Sequence, residues 1–320
     1  MTWLLTPILT PASRLAHLPT TPLQLSMSVD NAAITPAPAP WRCRATVYTA
    51  VFWVSPSQTA DPAFAEAAYD PLERAAPFGA GKPEGGVGSI MLIRYRDTPV
   101  GPYDEMMLLP GKFGYEVDAP SAGAGKRSKK SKLRITRIYV SQRNTTWNGR
   151  TSSAYADWNI PKHLARFDFT EHADGSAECK VFPLAGGGAG APVFQARFVP
   201  SPYVPPLPVS TRAAGWLVDL ELAQPPLPAG ATEATPEILA AARAQGEEPH
   251  TSEVAGTQRW CAATPYQYSS GCRVGWMDLR QADGGNFLPG ASRWAVAVKM
   301  PDTDLRLGEA VWWDEPRSRS

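Results

Sequence analysis

Residues 133–140 read Leu133-Arg-Ile-Thr-Arg-Ile-Tyr-Val140, and apolar and polar side chains alternate along most of this stretch. Alternation with a period of two is typical of a β-strand that has one buried face. Residues 44–54, RATVYTAVFWV, are rich in β-branched and aromatic types, which favour a buried strand. The two stretches predict a fold built mainly from β-strands.

The same criteria predict further strands on both sides of these two. They cover residues 88–95, 103–109, 164–169, 179–182, 193–199, 216–222, parts of 257–279, and 294–300. Turns are predicted at 98–102 and at Asp174-Gly175, and short helices at 62–76, with Asp61 as N-cap, and at 236–245. We therefore predict a mainly β (α+β), single-domain antiparallel barrel or sandwich with few short helices and an internal pocket. Trp260, Trp276 and Trp294 are expected in its interior.

Composition sets the domain limits. We expect residues 1–40 to be a disordered proline-rich leader that ends in Pro36-Ala-Pro-Ala-Pro40, residues 41–300 to be the folded domain, and residues 301–320 to be a tail. Residues 118–132 contain five basic side chains among Gly, Ser and Ala and are predicted to be a flexible insertion. Residues 225–256 are polar and are predicted to be a second, peripheral insertion.

The charge balance excludes several classes of function. The 320 residues carry a net charge of +1, and 19% of them are charged, so a general polyanion-binding surface and nucleic acid as a partner are not expected. No apolar run approaches the roughly 18 residues that span a bilayer, so we expect a cytoplasmic protein without a membrane partner. Homo-oligomerisation is left open.

The cysteines and histidines do not form a metal-binding pattern. Cys43, Cys179, Cys261 and Cys272 lack a CxxC spacing, and only four histidines are present. We predict reduced, buried cysteines, no metal and no cofactor.

One heptapeptide, Trp158-Asn-Ile-Pro-Lys162-His163-Leu164, points to chemistry. Apolar neighbours disfavour the ammonium form of a lysine, a nearby cation such as His163 disfavours it further, and the free amine attacks ketones to form a Schiff base. The alternative is a surface lysine whose stem lies along apolar groups. Because Lys162 follows a proline, it is expected to open a helical turn.

A carboxylate on a predicted strand is the candidate partner. Glu105 shares a strand face with Met107 and Leu109, and a carboxylate on an apolar face is costly unless it has a partner or a catalytic role. The alternative is an exposed carboxylate at the end of the preceding turn.

These motifs, read together, resemble those of the acetoacetate decarboxylase superfamily, and more closely those of a mostly fungal, poorly characterised branch of it. The resemblance rests on GPYDE at 101–105, RITRIYVS at 134–141, NGR at 148–150 and WNIPKHLARF at 158–167, and it covers roughly residues 35–300.

The resemblance implies a cone-like antiparallel β-barrel with a ketone-binding pocket, in which Lys162 is the Schiff-base lysine and Glu105 the pocket carboxylate. His163, Arg44, Tyr103 and Trp158 are the implied substrate-binding residues. His163 stands where the family has a second lysine, and Ile90 stands where a further pocket acid is expected. Residues 152–157 are additional to the branch.

Three functions follow. The first is a cofactor-independent lysine Schiff-base lyase that acts on a β-keto acid or related ketone, as a decarboxylase or by aldol or dehydration chemistry, in secondary metabolism. The second is a non-catalytic barrel that binds an apolar metabolite. The third is an adaptor that acts through the basic stretch.

Overall fold

Strands dominate the computed structural model, which describes residues 33–74, 81–118, 127–151, 158–185, 190–215, 219–247, 252–279, 287–288 and 290–314. The strands are β1 (Trp41–Val54), β2 (Lys82–Asp97), β3 (Tyr103–Leu109), β4 (Lys112–Asp118), β5 (Arg127–Leu133), β6 (Arg137–Val140), β7 (Lys162–Glu171), β8 (Ala177–Pro183), β9 (Phe194–Pro200), β10 (Leu207–Ser210), β11 (Leu222–Gln224), β12 (Trp260–Ala263), β13 (Tyr266–Asp278), β14 (Trp294–Leu307) and β15 (Val311–Trp313). The helices are α1 (Pro56–Thr59), α2 (Pro62–Ala67), α3 (Pro71–Arg74), α4 (Arg143–Arg150), α5 (Thr211–Ala214) and α6 (Pro236–Ala244).

Nine of the strands close into a barrel. Their order is β1-β14-β13-β9-β8-β7-β6-β3-β2, and the pairing of β1 with β2 completes the ring. All neighbours in the ring are antiparallel except β6 and β7, which run parallel. The prediction of a mainly β, single-domain barrel with few short helices is confirmed.

The interior of this barrel is filled with side chains. All nine strands contribute to one buried cluster in which small residues such as Ala50 and Ala297 meet large ones such as Phe167, Phe194 and Phe198. Small and large side chains that interdigitate in this way are typical of a packed protein core. Residues from α2 and the turn after it, including Phe64 and Tyr69, close one end of the cluster.

A second layer covers part of the outer barrel wall. Strands β4, β5, β11, β12 and β15 continue from the start of β2 and form a small sheet. A second buried cluster lies between this layer and the outward faces of β1, β2, β3, β6 and β14; it includes Ile93, Tyr95, Tyr103, Ile138 and Leu222. The cavity that adjoins Lys162, described below, lies between the two layers, on the outer side of the barrel wall and inside the domain.

Helix α4 was not predicted from the sequence. It reads Arg143-Asn-Thr-Thr-Trp-Asn-Gly-Arg150, a composition with weak helix propensity, yet almost all of it is buried. The Gln142 side chain accepts a hydrogen bond from Thr145 N and caps the first turn. Tertiary hydrogen bonds on its other sides, described below, stabilise this polar helix in the core.

Several predicted elements are confirmed in place. Asp61 caps α2 through Ala63 N, and Gly175 closes the turn between β7 and β8. Helix α6 ends one residue before its predicted limit. The four cysteines are free and buried, as predicted.

Other predictions were wrong in their limits. The single strand predicted over residues 133–140 is divided, since Leu133 ends β5, which pairs with β4, and Arg137 begins β6, which pairs with β3. Residues 134–136 separate the two strands, and the alternation of the sequence fails between Thr136 and Arg137, where β6 begins. Of the strand predicted over 216–222, residues 216–218 lie outside the described residues, and β11 begins only at Leu222.

The predicted insertion and terminal segments also need correction. Of the basic stretch, residues 127–132 form most of β5, because they pair in register with β4; residues 119–126 lie outside the described residues. The tail boundary at 300 falls inside β14, which continues to Leu307 because it pairs with β1. Residues 1–32 and 315–320 are likewise not described.

Two tryptophans do not lie where they were expected. Trp276 and Trp294 are 53% and 50% exposed, while Trp260 is buried. Their neighbours Met277 and Ala295 point into the barrel, so strand alternation directs both indoles outward. Among the described residues, no helix has both the length and the apolar character that crossing a membrane requires.

Candidate active site

Lys162 is the first residue of β7, and it does not open a helical turn. Asn159 adopts a left-handed backbone with a φ of 47°, a conformation that asparagine tolerates. The Asn159 side chain donates to the carbonyl of Arg259 at 2.6 Å, and Ile160 N donates to the carbonyl of Gly149 at 2.8 Å. This turn delivers Lys162 directly into parallel pairing with Ile138, so the residue extends a strand.

The amine of Lys162 is buried among polar partners. The residue is 3% exposed, and its Nζ lies 3.0 Å from Oε2 of Glu105. Nζ also donates to Oγ1 of Thr145 at 2.8 Å and lies 3.5 Å from the hydroxyl of Tyr103. The structure thus brings together Lys162, Glu105 and Tyr103, three of the residues that the sequence singled out.

Two stacked tyrosines complete the surroundings of the ion pair. The rings of Tyr95 and Tyr103 are 4.4 Å apart, and the Tyr95 hydroxyl donates to Oε1 of Glu105 at 3.3 Å. Desolvation by burial raises the pKa of both phenols well above the usual range, and the charge of Glu105 raises it further. Both tyrosines therefore remain protonated hydrogen-bond donors at neutral pH.

Helix α4 supplies two contacts to Lys162 that sequence reasoning missed. Thr145 and Gly149 are four residues apart and so share one face of the helix. Thr145 bonds the amine, and Gly149 lies so close that a Cβ there would be 2.7 Å from Cδ of Lys162. The NGR motif at 148–150 contained Gly149, but a helix at this position had no sequence signal.

A cavity of about 720 Å³ adjoins the ion pair. Lys162 and Glu105 line it together with mostly apolar side chains from both layers, including Met91, Met107, Leu109, Ile135, Leu222 and Met300. Glu105, Met107 and Leu109 share the cavity face of β3, as the sequence predicted. The arrangement places the amine of Lys162 and the carboxylate of Glu105 side by side on a mostly apolar wall.

His163 does not face this cavity. Because successive strand residues point to opposite faces, its ring lies on the other side of β7 from Lys162. Nε2 is 2.7 Å from Glu73 and Nδ1 is 2.6 Å from Glu233. Burial alone would lower the pKa of His163, but the bonds to these two carboxylates outweigh it and raise the pKa to about 10. His163 is therefore a buried imidazolium in an ion network, and its position does not support the prediction that it contacts the substrate.

Arg150, at the end of α4, connects this network to Lys162. Its Nη1 donates to Glu73 at 2.9 Å and to the backbone carbonyl of Lys162 at 3.2 Å, and Nη2 donates to the carbonyl of Pro228 at 2.8 Å. Arg150 and Glu73 are fully buried. The guanidinium thus holds α4, α3 and the start of β7 in one arrangement.

The polar segment 225–256 is not peripheral, in contrast to the prediction. Glu233 accepts Leu164 N at 2.7 Å in addition to bonding His163, and Glu253, which is fully buried, accepts from Arg143 at 3.2 Å. The described part of this segment therefore forms the wall on the far side of β7 from the cavity. Its acidic residues pair with Arg143 of α4 and His163 of β7.

One group of side chains has the composition of a metal site. Ligand atoms of Asp70, Glu73 and His163 lie within 4.8 Å of one another. Metal ligands must be deprotonated, whereas the raised pKa of His163 keeps its ring protonated, and Glu73 is already bonded to both His163 and Arg150. The donor set fits an ion network better than a cation. That the protein uses no metal or cofactor stays a prediction.

The remaining candidates lie away from the amine. Arg44 is exposed on β1, where it lies opposite Asp304 of β14 and Asp97 of β2 in the strand pairing. Trp158 is buried against Trp41 and donates to the carbonyl of Gly308 at 2.8 Å, so it has a packing role. Neither is among the cavity-lining residues, and the prediction that they contact the substrate is not supported by their positions.

Two further features of the sequence resemblance concern Ile90 and residues 152–157. Ile90 points into the barrel interior, so its neighbours Ser89 and Met91, which are not acidic, line the cavity instead. The additional residues 152–157 lie outside the described residues.

Comparison with known proteins identifies no family. No family model matches the sequence, and no curated protein matches it. A solved structure that resembles the fold is the enduracididine biosynthesis enzyme MppR in complex with the condensation product of pyruvate and imidazole 4-carboxaldehyde. The two chains are 13% identical, the match covers 88% of this chain and 92% of that one, and the TM-score is 0.47. A likeness of this degree carries no argument about activity.

Proposed function

We propose that the protein is a lysine Schiff-base lyase that acts on a β-keto acid or a related ketone. The observation that supports this function is the pairing of a buried lysine amine with Glu105 at 3.0 Å on the wall of a mostly apolar cavity. Desolvated lysines of this kind form imines with carbonyl compounds, as in acetoacetate decarboxylase, whose superfamily the motifs resemble.

The geometry supports the following sequence of steps. Glu105 accepts a proton from the Lys162 ammonium, and the free amine attacks the carbonyl carbon. The carbonyl oxygen takes up two protons and leaves as water, which gives a protonated imine. The bond between the carbon next to the imine and the carboxylate or carbinol carbon then breaks, and its electron pair moves into the imine to give an enamine. A keto acid releases carbon dioxide at this step, whereas an aldol substrate passes its hydroxyl proton to Glu105 and releases an aldehyde. Protonation of the enamine at carbon and hydrolysis release the product and restore Lys162.

Three groups have defined tasks in this scheme. Thr145 accepts a hydrogen bond from the amine and orients it, while the Tyr95 hydroxyl bonds the second oxygen of Glu105. Tyr103, held protonated by burial, lies 3.5 Å from the amine and can donate to the departing oxygen. The apolar side chains around the ion pair limit the access of water to the imine, which protects the enamine and strengthens the electrostatic interactions around it.

A second candidate is a non-catalytic protein that binds an apolar metabolite. The observation in its favour is the ion pair itself, since Glu105 neutralises Lys162 and leaves a mostly apolar chamber. Under this function Lys162 has a structural role and forms no bond with the ligand.

Reductive trapping separates the two candidates. The folded protein is incubated with a keto acid or ketone and borohydride, and the adduct is located by peptide mass spectrometry. The lyase requires added mass at Lys162, and Lys162→Ala removes it. Lys112→Ala is the matched control, because Lys112 is the other lysine on the cavity wall. Saturable binding without any adduct at Lys162 would identify the non-catalytic function.

A further inference from the structure

On the cavity wall, Lys162 belongs to a row of residues that are paired across neighbouring strands. Across five adjacent strands the paired positions are Thr49, Met91, Met107, Ile138 and Lys162. Paired residues on neighbouring strands point to the same face, and all five line the cavity. The amine therefore lies at one end of a row whose middle consists of two methionines and an isoleucine.

The apolar wall continues along the strands from this row. The next row contains Val51, Ser89 and Leu109, and the following one contains Trp53 and Val87. Val87 is four positions from Met91 on β2, a distance of about 13 Å at roughly 3.3 Å per residue. The surface on this side of the amine thus extends much further than a small keto acid requires.

The far end of this wall is open to solvent and remains apolar. Trp53 is 68% exposed, and Val51 and Val87 are each 43% exposed. Val296, paired with Val51, and Trp276, paired with Val296, extend the same face across β14 and β13. Contiguous exposed apolar surface of this kind marks a binding site, and here it leads directly into the cavity.

The charges on the cavity wall disfavour a carboxylate next to the reacting carbonyl. Among the described lining residues, the cations are Lys162 and Lys112 and the acids are Glu105 and Asp219. Lys162 is already paired with Glu105, so a substrate carboxylate beside it would place two anions around one cation in an apolar site. Such burial is costly without a further cation.

The second lysine is too far along the wall to serve as that cation. Lys112 pairs with Gly85 on β2, on the side of Val87 away from Met91. Arg44 is exposed on the opposite face of β1. No guanidinium or imidazole is among the described side chains of the cavity wall.

We infer that the substrate is a ketone or aldehyde with a long apolar chain and no carboxylate beside the carbonyl, whose chain lies along Met107, Leu109 and Val87. This rests on the proposed function and selects its aldol or dehydration branch over decarboxylation. Met91 and Met107 suit such a chain because methionine side chains adapt to irregular apolar shapes.

The test combines a chain-length series with the trapping reaction. Acetone, methyl butyl ketone and methyl octyl ketone are titrated calorimetrically into the full chain, together with β-keto acids of matched length. We expect the Kd to fall at least roughly tenfold from the shortest ketone to the longest, because the longer chain removes more apolar surface from water when it binds. Each keto acid is expected to bind at least roughly tenfold more weakly than the ketone of its length.

Variants at the solvent-exposed end of the cavity wall test whether the substrate chain lies there. Val87→Asp places a charge on an exposed residue, and we expect it to raise the Kd of methyl octyl ketone at least roughly tenfold and to change that of acetone less. Tyr203→Asp is the control, because Tyr203 is 91% exposed and does not line the cavity. Equal effects of the two variants would overturn the inference.

The outcomes separate the inference from the proposed function. Tight binding of long ketones without an adduct at Lys162 would support the substrate class and refute the lyase. An adduct that forms best with short keto acids would support the lyase and refute the substrate class. If none of the series binds, both fail.

Discussion

Gly149 lies directly against the side chain of Lys162, so that a Cβ at position 149 would be 2.8 Å from Cε and 3.3 Å from Cγ of the lysine. Gly149 of helix α4 therefore sets the position of the Lys162 amine, which pairs with Glu105 of β3. The absence of a side chain at 149 is a structural condition for the ion pair.

Gly149→Ala should displace the amine. The lysine must move because the new methyl group overlaps it, and a misplacement of about 1 Å at a reacting group can cost roughly a hundredfold in rate. We expect the rate of reductive trapping to fall by roughly that factor. Gly190→Ala is the control, since nothing lies within 4 Å of a Cβ there. Unchanged trapping in Gly149→Ala would show that the lysine accommodates the methyl group.

Thr145→Val should slow imine formation while Thr145→Ser should not. The hydroxyl of Thr145 lies 2.8 Å from Nζ, and valine has the same shape without it. Hydrogen bonds to charged groups contribute about 1.5–3 kcal/mol, so the trapping rate of the valine variant should fall roughly tenfold to a hundredfold. Equal rates for the two variants would remove Thr145 from the scheme.

Glu105→Gln should retain ligand binding and lose most of the trapping rate. Glutamine preserves the shape but cannot accept the proton of the ammonium, and positioned general bases contribute roughly a hundredfold to ten-thousandfold. Asp219→Asn is the matched control, because Asp219 is the other carboxylate on the cavity wall. The adduct rate and the Kd of a ketone are measured for both; a similar rate for both variants would contradict the assignment.

Stability should fall as the pH rises through the titration of His163. The pKa of this residue is about 10 in the folded chain against 6.5 for an ordinary histidine, so the folded state binds the proton more tightly. The resulting stabilisation is complete below about pH 6.5 and is lost progressively up to about pH 10. Denaturant unfolding across this interval should show a decline that His163→Gln flattens.

The exposed His172 provides the control for that experiment. His172→Gln should leave the slope of unfolding free energy against pH as in the parent protein. A parent slope that His163→Gln does not change would mean that other groups cause the decline.

Arg150→Met should strongly destabilise the fold, and Glu73→Gln should restore part of the loss. Removing one partner of a buried pair leaves an uncompensated charge and costs about 3–5 kcal/mol. Arg74→Met is the control, because the Arg74–Glu66 pair is exposed and such pairs contribute about 0–1 kcal/mol. Additive effects of Arg150→Met and Glu73→Gln in the double variant would contradict the direct coupling.

Local patterns in the chain were sufficient to predict most of the strands. β3 matches its predicted limits, and the cap of α2 at Asp61 is where the sequence placed it. Helix α4 could not be predicted, since its stability depends on partners distant in sequence: Arg150 bonds Glu73, and Asn148 bonds Ala37 N at 2.8 Å. Single-residue propensities contain no information about such contacts.

The sequence alone determined the β-rich class, the sites of turns and the chemical candidates Lys162 and Glu105, because these follow from residue types and from the period of two along a strand. Only the tertiary structure decided that the cavity lies outside the packed barrel and that Lys162 and His163 face opposite sides of β7. It also decided that the segment 225–256, which was expected to be peripheral, supplies Glu233 as a hydrogen-bond partner of His163. These features depend on which strands pair and in what register, and pairing of distant segments is a property of the whole chain.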